Sequence, residues 1–203
     1  MLRGWFTRLL MIRLKNLKYD FGVNGLVLAG GKGSRMGREK GGLVHPDGRT
    51  MVRRAVELLL EAGCIKVVVA LRVGQEFSES ADVELVRDAG EGALGGIVAG
   101  MKTAVDEDWL VVACDLPRLE VDVLRGLLGF SEDFVVYGRG GMLEPLCGFY
   151  GRKALEILKK SRDAGEWGLQ KILRNNGAKV LEIADERALE NANTPEDWER
   201  SAG

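Results

Sequence analysis

The chain has 203 residues, 46% of them hydrophobic, with 29 Lys plus Arg against 30 Asp plus Glu. Such a length fits one substantial core, and the even charge balance excludes the global basic field of a nucleic-acid binder, so the expected partner is a small molecule. A single histidine, His45, and three separated cysteines, Cys64, Cys114 and Cys147, argue against a histidine-based triad, a zinc site and a disulfide framework, which leaves carboxylates as metal ligands and a reducing cytoplasm as the expected compartment.

Residues 1–22 differ in character from the rest. Arg3, Arg8, Arg13, Lys15 and Lys18 are interleaved with Trp5, Phe6, Leu9, Leu10, Ile12 and Leu17. The longest apolar run, Leu9 to Ile12, is shorter than a spanning helix of roughly 18 residues or a secretory core of roughly 7, so no integral membrane segment is expected. The segment reads as an N-terminal extension: a helix added to the core or sequence upstream of a start at Met11, with a basic surface helix as the alternative. No role is assigned to it. One domain is expected over 23–203, without internal repeat or low-complexity linker.

Leu26 to Ala29 is the first predicted strand, and it empties into Gly30-Gly31-Lys32-Gly33-Ser34-Arg35-Met36-Gly37-Arg38-Glu39-Lys40. Glycine lets the backbone approach an anion closely, and Lys32, Arg35, Arg38 and Lys40 supply the charge that a polyphosphate needs. Arg35 and Lys40 are assigned to the β and γ phosphates, with N–H groups from Gly30 to Gly33 completing the cradle. Neither common phosphate loop fits. No Gly-Lys-Ser or Gly-Lys-Thr stands at Walker spacing, and Met36 occupies the place of the third glycine in G-x-G-x-x-G.

Further along, helix-period and β-branched segments alternate. Helices are predicted at Met51 to Glu61, Leu94 to Val105, Val121 to Leu128, Arg152 to Lys160 and Leu169 to Asn175, with a short one after Thr194. Strands are predicted at Ile65 to Leu71, Val83 to Val86, Leu110 to Ala113, Phe134 to Tyr137 and Lys179 to Ile183. The pattern implies an α/β fold with a mostly parallel sheet and helices on both faces, and ligands beyond the carboxyl ends of the strands. Gly63 is the expected left-handed cap of the first helix, and Thr194 the capping hydroxyl of the last.

Two further strand ends carry carboxylates. Asp88 precedes a second glycine-rich turn, Gly90-Glu91-Gly92-Ala93-Leu94-Gly95-Gly96, where it suits a guanine edge, a sugar or a metal, or simply ends a turn. Asp115, after Val111-Val112-Ala113-Cys114, either organises the turn ahead of Pro117 or holds a divalent cation bridging phosphates. Its place downstream of the cationic loop favours the cation.

These motifs stand together in one family. Leu28-Ala29-Gly30-Gly31 with Arg35-Met36-Gly37 and Lys40, Asp88 before the glycine turn, Cys114-Asp115-Leu116-Pro117, Glu144-Pro145-Leu146 and Asn191-Ala192-Asn193-Thr194-Pro195-Glu196-Asp197 resemble the molybdenum cofactor guanylyltransferases, from residue 24 to about residue 199. The resemblance implies a Rossmann-like three-layer nucleotidyltransferase fold over 23–203. It implies GTP and molybdopterin as substrates, with Mg²⁺ held by Asp115 and transient contact with a cofactor carrier or an acceptor molybdoenzyme. It also implies nucleotide contacts at Leu28, Ala29, Gly30, Lys40, Asp88 and Asp115; the loop reading adds Gly31, and the expected chemistry gives catalytic roles to Arg35, Lys40 and Asp115. One position departs from the pattern: Ala70 stands where many members carry an asparagine that touches the nucleotide. Open alternatives are a cytidylyltransferase for the same cofactor, a guanylyltransferase for another phosphorylated small molecule and a non-catalytic nucleotide sensor. Glu144, Arg152, Lys159, Lys160 and Glu166 to Gln170 are candidates for the acceptor pocket, although surface solvation explains their charges equally well.

Overall fold

A computed structural model describes residues 22–30, 43–75, 83–88, 90–192, 194 and 197 of the chain. Among them, seven strands form one sheet in the order β3-β2-β1-β4-β6-β5-β7. The strands are β1 (Asn24–Leu28), β2 (Val67–Arg72), β3 (Glu84–Asp88), β4 (Trp109–Ala113), β5 (Phe134–Arg139), β6 (Met142–Tyr150) and β7 (Lys179–Glu182). Pairings β1 to β2, β1 to β4, β2 to β3 and β5 to β7 are parallel, and β6 alone runs against its neighbours β4 and β5. This is the expected mostly parallel α/β sheet. Because β1 has β2 on one side and β4 on the other, the chain reverses its direction of travel across the sheet there, which opens a crevice at the carboxyl ends of β1 and β4.

Alternation along the central strands divides the core into two layers. Val27, Val69, Leu110 and Val112 face a layer that also holds Val52, Ala55, Val56 and Leu59 of α1 (Met51–Ala62) and Leu124 of α3 (Val121–Arg125). Leu26, Val68, Trp109 and Val111 face the other, with Leu94, Ile97 and Met101 of α2 (Gly92–Met101), Leu158 of α4 (Ala154–Asp163) and Ile172 of α5 (Leu169–Asn175). Both sheet faces are covered, so the central strands read as continuous apolar runs. Helix α1 begins at Thr50, whose side chain accepts from the Arg53 N–H, and ends at Gly63 with φ 112°, the left-handed cap expected there. At the C-terminus, the Asp197 N–H donates to Thr194 Oγ1 and the Thr194 N–H to Asp197 Oδ2, a reciprocal cap of the kind the Thr-Pro pair predicts.

The longest strand was not predicted. β6 contains Pro145 and Gly148, residues that argue against a strand interior. The ladder accommodates both. Val136 faces Gly148 but the next residue, Tyr137, faces Glu144, so Pro145 falls in a bulge and donates to no ladder. Gly148 lies so close to β5 that a Cβ would stand 2.8 Å from Val136 Cγ1.

Helix α2 packs closely on the sheet. Gly92, Gly96 and Gly100 recur every four residues along one face, and a Cβ on Gly100 would collide with the buried Leu26 side chain. Glycine in a helix interior costs about 1 kcal/mol relative to alanine. Close packing on β1 and β2 offsets that cost, and the same closeness brings the N-terminal turn of α2 over the carboxyl edge of the sheet.

Candidate active site

A cavity of about 320 Å³ opens at that edge. Strand ends supply its floor: Leu28 at the end of β1 and Gly30 beyond it, Ala70 and Arg72 on β2, Asp88 on β3, and Ala113 at the end of β4 with Cys114 and Asp115 beyond it, while Gly92, Ala93 and Gly96 of α2 and Leu146 of β6 form its sides. Chiefly apolar walls with a few charged groups at strand ends suit a small polar ligand carrying a flat ring.

Of the residues read from sequence, Leu28, Gly30, Asp88 and Asp115 come together on this cavity. Ala29 does not line it. Its side chain is buried in the core, its N–H donates to the Ala70 carbonyl at 2.9 Å, and its carbonyl accepts from Gln75 Nε2 at 2.9 Å. Gly31, Arg35 and Lys40 lie outside the described residues.

Asp88 is buried, 8% exposed, and its position is fixed by the glycine turn that follows. Oδ1 accepts from the N–H groups of Gly90 at 2.6 Å and Glu91 at 3.1 Å, while Oδ2 stands 3.7 Å from the place a Cβ on Gly96 would take. One carboxylate therefore closes the turn and also lines the cavity. Asp115 is partly buried at the end of β4, and its carbonyl accepts from the Ala192 N–H at 2.9 Å, which anchors the Asn-x-Asn segment beside it. The neighbouring Cys114 N–H donates to the Leu28 carbonyl, closing the β1 and β4 ends together.

Two residues that sequence reasoning passed over also shape the site. Gln75 bridges β1 and β2, giving its amide hydrogens to the Ala29 carbonyl and accepting from the Arg72 N–H. Arg72 stands at the end of β2, one residue beyond the predicted strand, and is the cross-strand partner of Asp88. Its placement as a cation at a strand's carboxyl end was the available signal. Among the acceptor-pocket candidates, Arg152 is on the wrong side: its N–H and guanidinium meet Asp108, ahead of β4, because antiparallel β6 ends at the amino edge of that strand. Glu144 pairs with Arg139, Lys159 pairs with Glu156, and Gln170 hydrogen-bonds both backbone groups of Leu143, holding α5 to the carboxyl-edge end of β6. The thiols of Cys64 and Cys147 are pushed up by burial, that of Cys147 to about 12, which keeps both neutral and unreactive.

Residues 47–57 carry a charge network. Asp47 and buried Glu57 share Arg49, Arg53 adds a bond to Glu57, and Arg54 reaches from α1 to the Leu119 carbonyl in the loop after Asp115. Hydrogen bonding to Arg49 holds the Asp47 carboxyl well below the ordinary carboxylate range. With a folded-state pKa below the unfolded value of about 4, Asp47 stabilises the fold above that pH, and this stabilisation is lost as pH falls. The melting temperature is expected to drop between about pH 5 and about pH 3, less steeply in Asp47→Asn. Equal slopes in the two proteins would show that this network does not respond to acid.

The fold and its switch-point cavity, with carboxylates at the ends of β3 and β4, put a ligand site where open α/β sheets bind nucleotides. The family model for the MobA-like NTP transferase domain matches residues 25–180. A molybdenum cofactor guanylyltransferase from Pseudomonas putida strain KT2440 is 33% identical over 181 residues, covering 84% of this chain and 93% of that protein. The chain belongs to the MobA-like NTP transferase family. Among solved structures, molybdopterin-guanine dinucleotide biosynthesis protein A from Archaeoglobus fulgidus superimposes with a TM-score of 0.73 at 21% identity, covering 89% of this chain and 97% of that one. The 2-C-methyl-D-erythritol 4-phosphate cytidylyltransferase of Thermus thermophilus superimposes with a TM-score of 0.70 at 16% identity, covering 89% and 97%. A fold shared with a cytidylyltransferase does not by itself choose the base.

Proposed function

We propose that this nucleotidyltransferase transfers GMP from GTP to the terminal phosphate of molybdopterin, releasing pyrophosphate and giving the guanine dinucleotide form of the molybdenum cofactor. The observation that carries the reading is the 33% identity to a curated guanylyltransferase over 84% of the chain, together with a cavity at the strand ends where that family's motifs fall. In the reaction, a terminal phosphate oxygen of molybdopterin attacks the α-phosphorus, the bond to the β-phosphate oxygen breaks, and the electron pair leaves with pyrophosphate. A phosphate monoester, with a second pKa of roughly 6, is already largely dianionic near neutrality, so no general base is needed. The sole histidine, His45, is then no obstacle.

The protein's part is positioning and charge neutralisation. Backbone N–H groups from Gly30 onward, with Arg35 and Lys40, hold the β and γ phosphates and offset charge on the departing pyrophosphate. Asp115 would hold Mg²⁺. Among the described residues no three His, Cys, Asp or Glu gather as a metal cage, and the hard oxygen of a single strand-end carboxylate is the donor set Mg²⁺ takes when substrate phosphates and water supply the rest. When bound, the ion supplies Lewis-acid neutralisation of the phosphates. No helix among the described residues is long and apolar enough to cross a membrane. A cytoplasmic location and transient contact with a cofactor carrier or acceptor molybdoenzyme belong to the same proposal.

Thermal stabilisation by GTP, CTP, ATP and UTP, each with and without Mg²⁺, tests the binding half of this reading, since a ligand that binds only the folded state raises the midpoint. A shift led by GTP with Mg²⁺ is expected. A larger shift with CTP would move the assignment to the cytidylyl reaction, and no shift with any triphosphate would overturn it.

A further inference from the structure

The cavity has two ends with different chemistry. The β1 and β4 end carries Gly30, at the head of the glycine-rich sequence, and Asp115, the phosphate side of the proposed reaction. The β2 and β3 end is lined by Leu28, Ala70, Ala93 and Gly96, the last packed so closely on Leu28 that a Cβ would stand 3.1 Å from Leu28 Cδ2. Phosphates at the first end place the nucleobase in the second. Only two charged side chains among the described residues line that second end, Arg72 and Asp88, and they are direct cross-strand partners. Asp88 has its Oδ1 committed to the glycine turn, which leaves Oδ2 on the cavity side. The Arg72 guanidinium has no ion-pair partner among the described residues; only its backbone is engaged, with Gln75.

We infer that Arg72 and Asp88 together read the guanine base, Arg72 donating to O6 and N7 and Asp88 accepting from N1–H and the N2 amino group. The inference rests on the guanylyl reading above and assigns its base choice to a residue that the family pattern does not mark. Guanine presents two acceptors on one edge and two donors on the next, which matches a fixed fork of donors beside a carboxylate. Adenine turns a bare N1 acceptor toward the carboxylate, and cytosine has no counterpart of the N7 and O6 pair. Arg72 also answers the gap left by Ala70, whose side chain can neither donate nor accept. A guanidinium one turn of the pleat further along β2 supplies the polar group from the same strand.

Equilibrium binding of GTP, 7-deaza-GTP and ITP to the wild type and to Arg72→Met tests this directly. Methionine keeps the apolar stem, and the Gln75 bond to the backbone N–H is unaffected, so the variant should melt like the wild type. The wild type is expected to bind GTP about tenfold more tightly than 7-deaza-GTP, which lacks the N7 acceptor. Arg72→Met should bind GTP roughly ten- to a hundredfold more weakly and no longer distinguish it from 7-deaza-GTP, while both proteins still bind ITP, without its N2 amino group, more weakly than GTP. Equal loss for GTP and 7-deaza-GTP would put the guanidinium on ribose or phosphate, and wild-type affinity would leave it without a role; either result overturns the inference while the guanylyl reading stands. Failure of the wild type to bind GTP would overturn both.

Discussion

Asp115→Ala is expected to lower turnover by roughly a thousandfold while leaving the fold in place. The size follows from what a metal-holding carboxylate does in phosphoryl chemistry: charge neutralisation worth about 4 kcal/mol, or about three powers of ten in rate. The fold should survive because the Asp115 carbonyl, which accepts from the Ala192 N–H, remains in the variant. Apolar Val111, Val112 and Ala113, which hold β4 in the sheet, are untouched. Pyrophosphate release at saturating GTP and Mg²⁺, measured beside a melting curve, separates the two effects. Turnover near that of the wild type would remove Asp115 from the metal role.

Gly96→Leu should block the site without unfolding the chain. A Cβ there would stand 3.1 Å from Leu28 Cδ2 and 3.6 Å from the Ala70 Cβ, and the rest of a leucine side chain would enter the cavity that the nucleotide needs. Overpacking of this kind costs about 1–3 kcal/mol, partly offset by about 1 kcal/mol of helix propensity gained over glycine. The net loss of stability is therefore at most about 2 kcal/mol, short of unfolding the chain. Nucleotide affinity should fall by roughly a hundredfold, because the leucine side chain would take up space that the nucleotide needs. Titration of the variant with GTP, monitored by calorimetry, would contradict the placement of the nucleotide if it returned the wild-type dissociation constant.

Asp88 and Asp115 were readable in the sequence because each ends a β-branched run, and strand ends in a parallel sheet meet at one edge. Gly63 and Thr194 were readable because caps are local: a left-handed φ and a hydroxyl one turn from an N–H need no tertiary partner. β6 was not readable, since Pro145 and Gly148 break every local strand rule and are tolerated only through a bulge and a close approach set by β5. Arg152 went to the wrong edge for the same reason, because its location depends on the direction of that unpredicted strand. Ala29 sits inside the most recognisable motif yet faces the core, as strand alternation past Leu28 requires. Arg72 offered one local signal, a cation at a strand's carboxyl end, but its pairing with Asp88 across the ladder is not encoded in either strand alone.

The central claim is the transfer of a guanylyl group, and it is tested most directly by incubating the purified chain with GTP labelled at the α-phosphate, molybdopterin and Mg²⁺. Label should pass into a dinucleotide product, with one pyrophosphate released for each label transferred, and CTP should be the poorer donor. Pyrophosphate release that does not depend on molybdopterin, or faster label transfer from CTP than from GTP, would contradict the guanylyltransferase assignment.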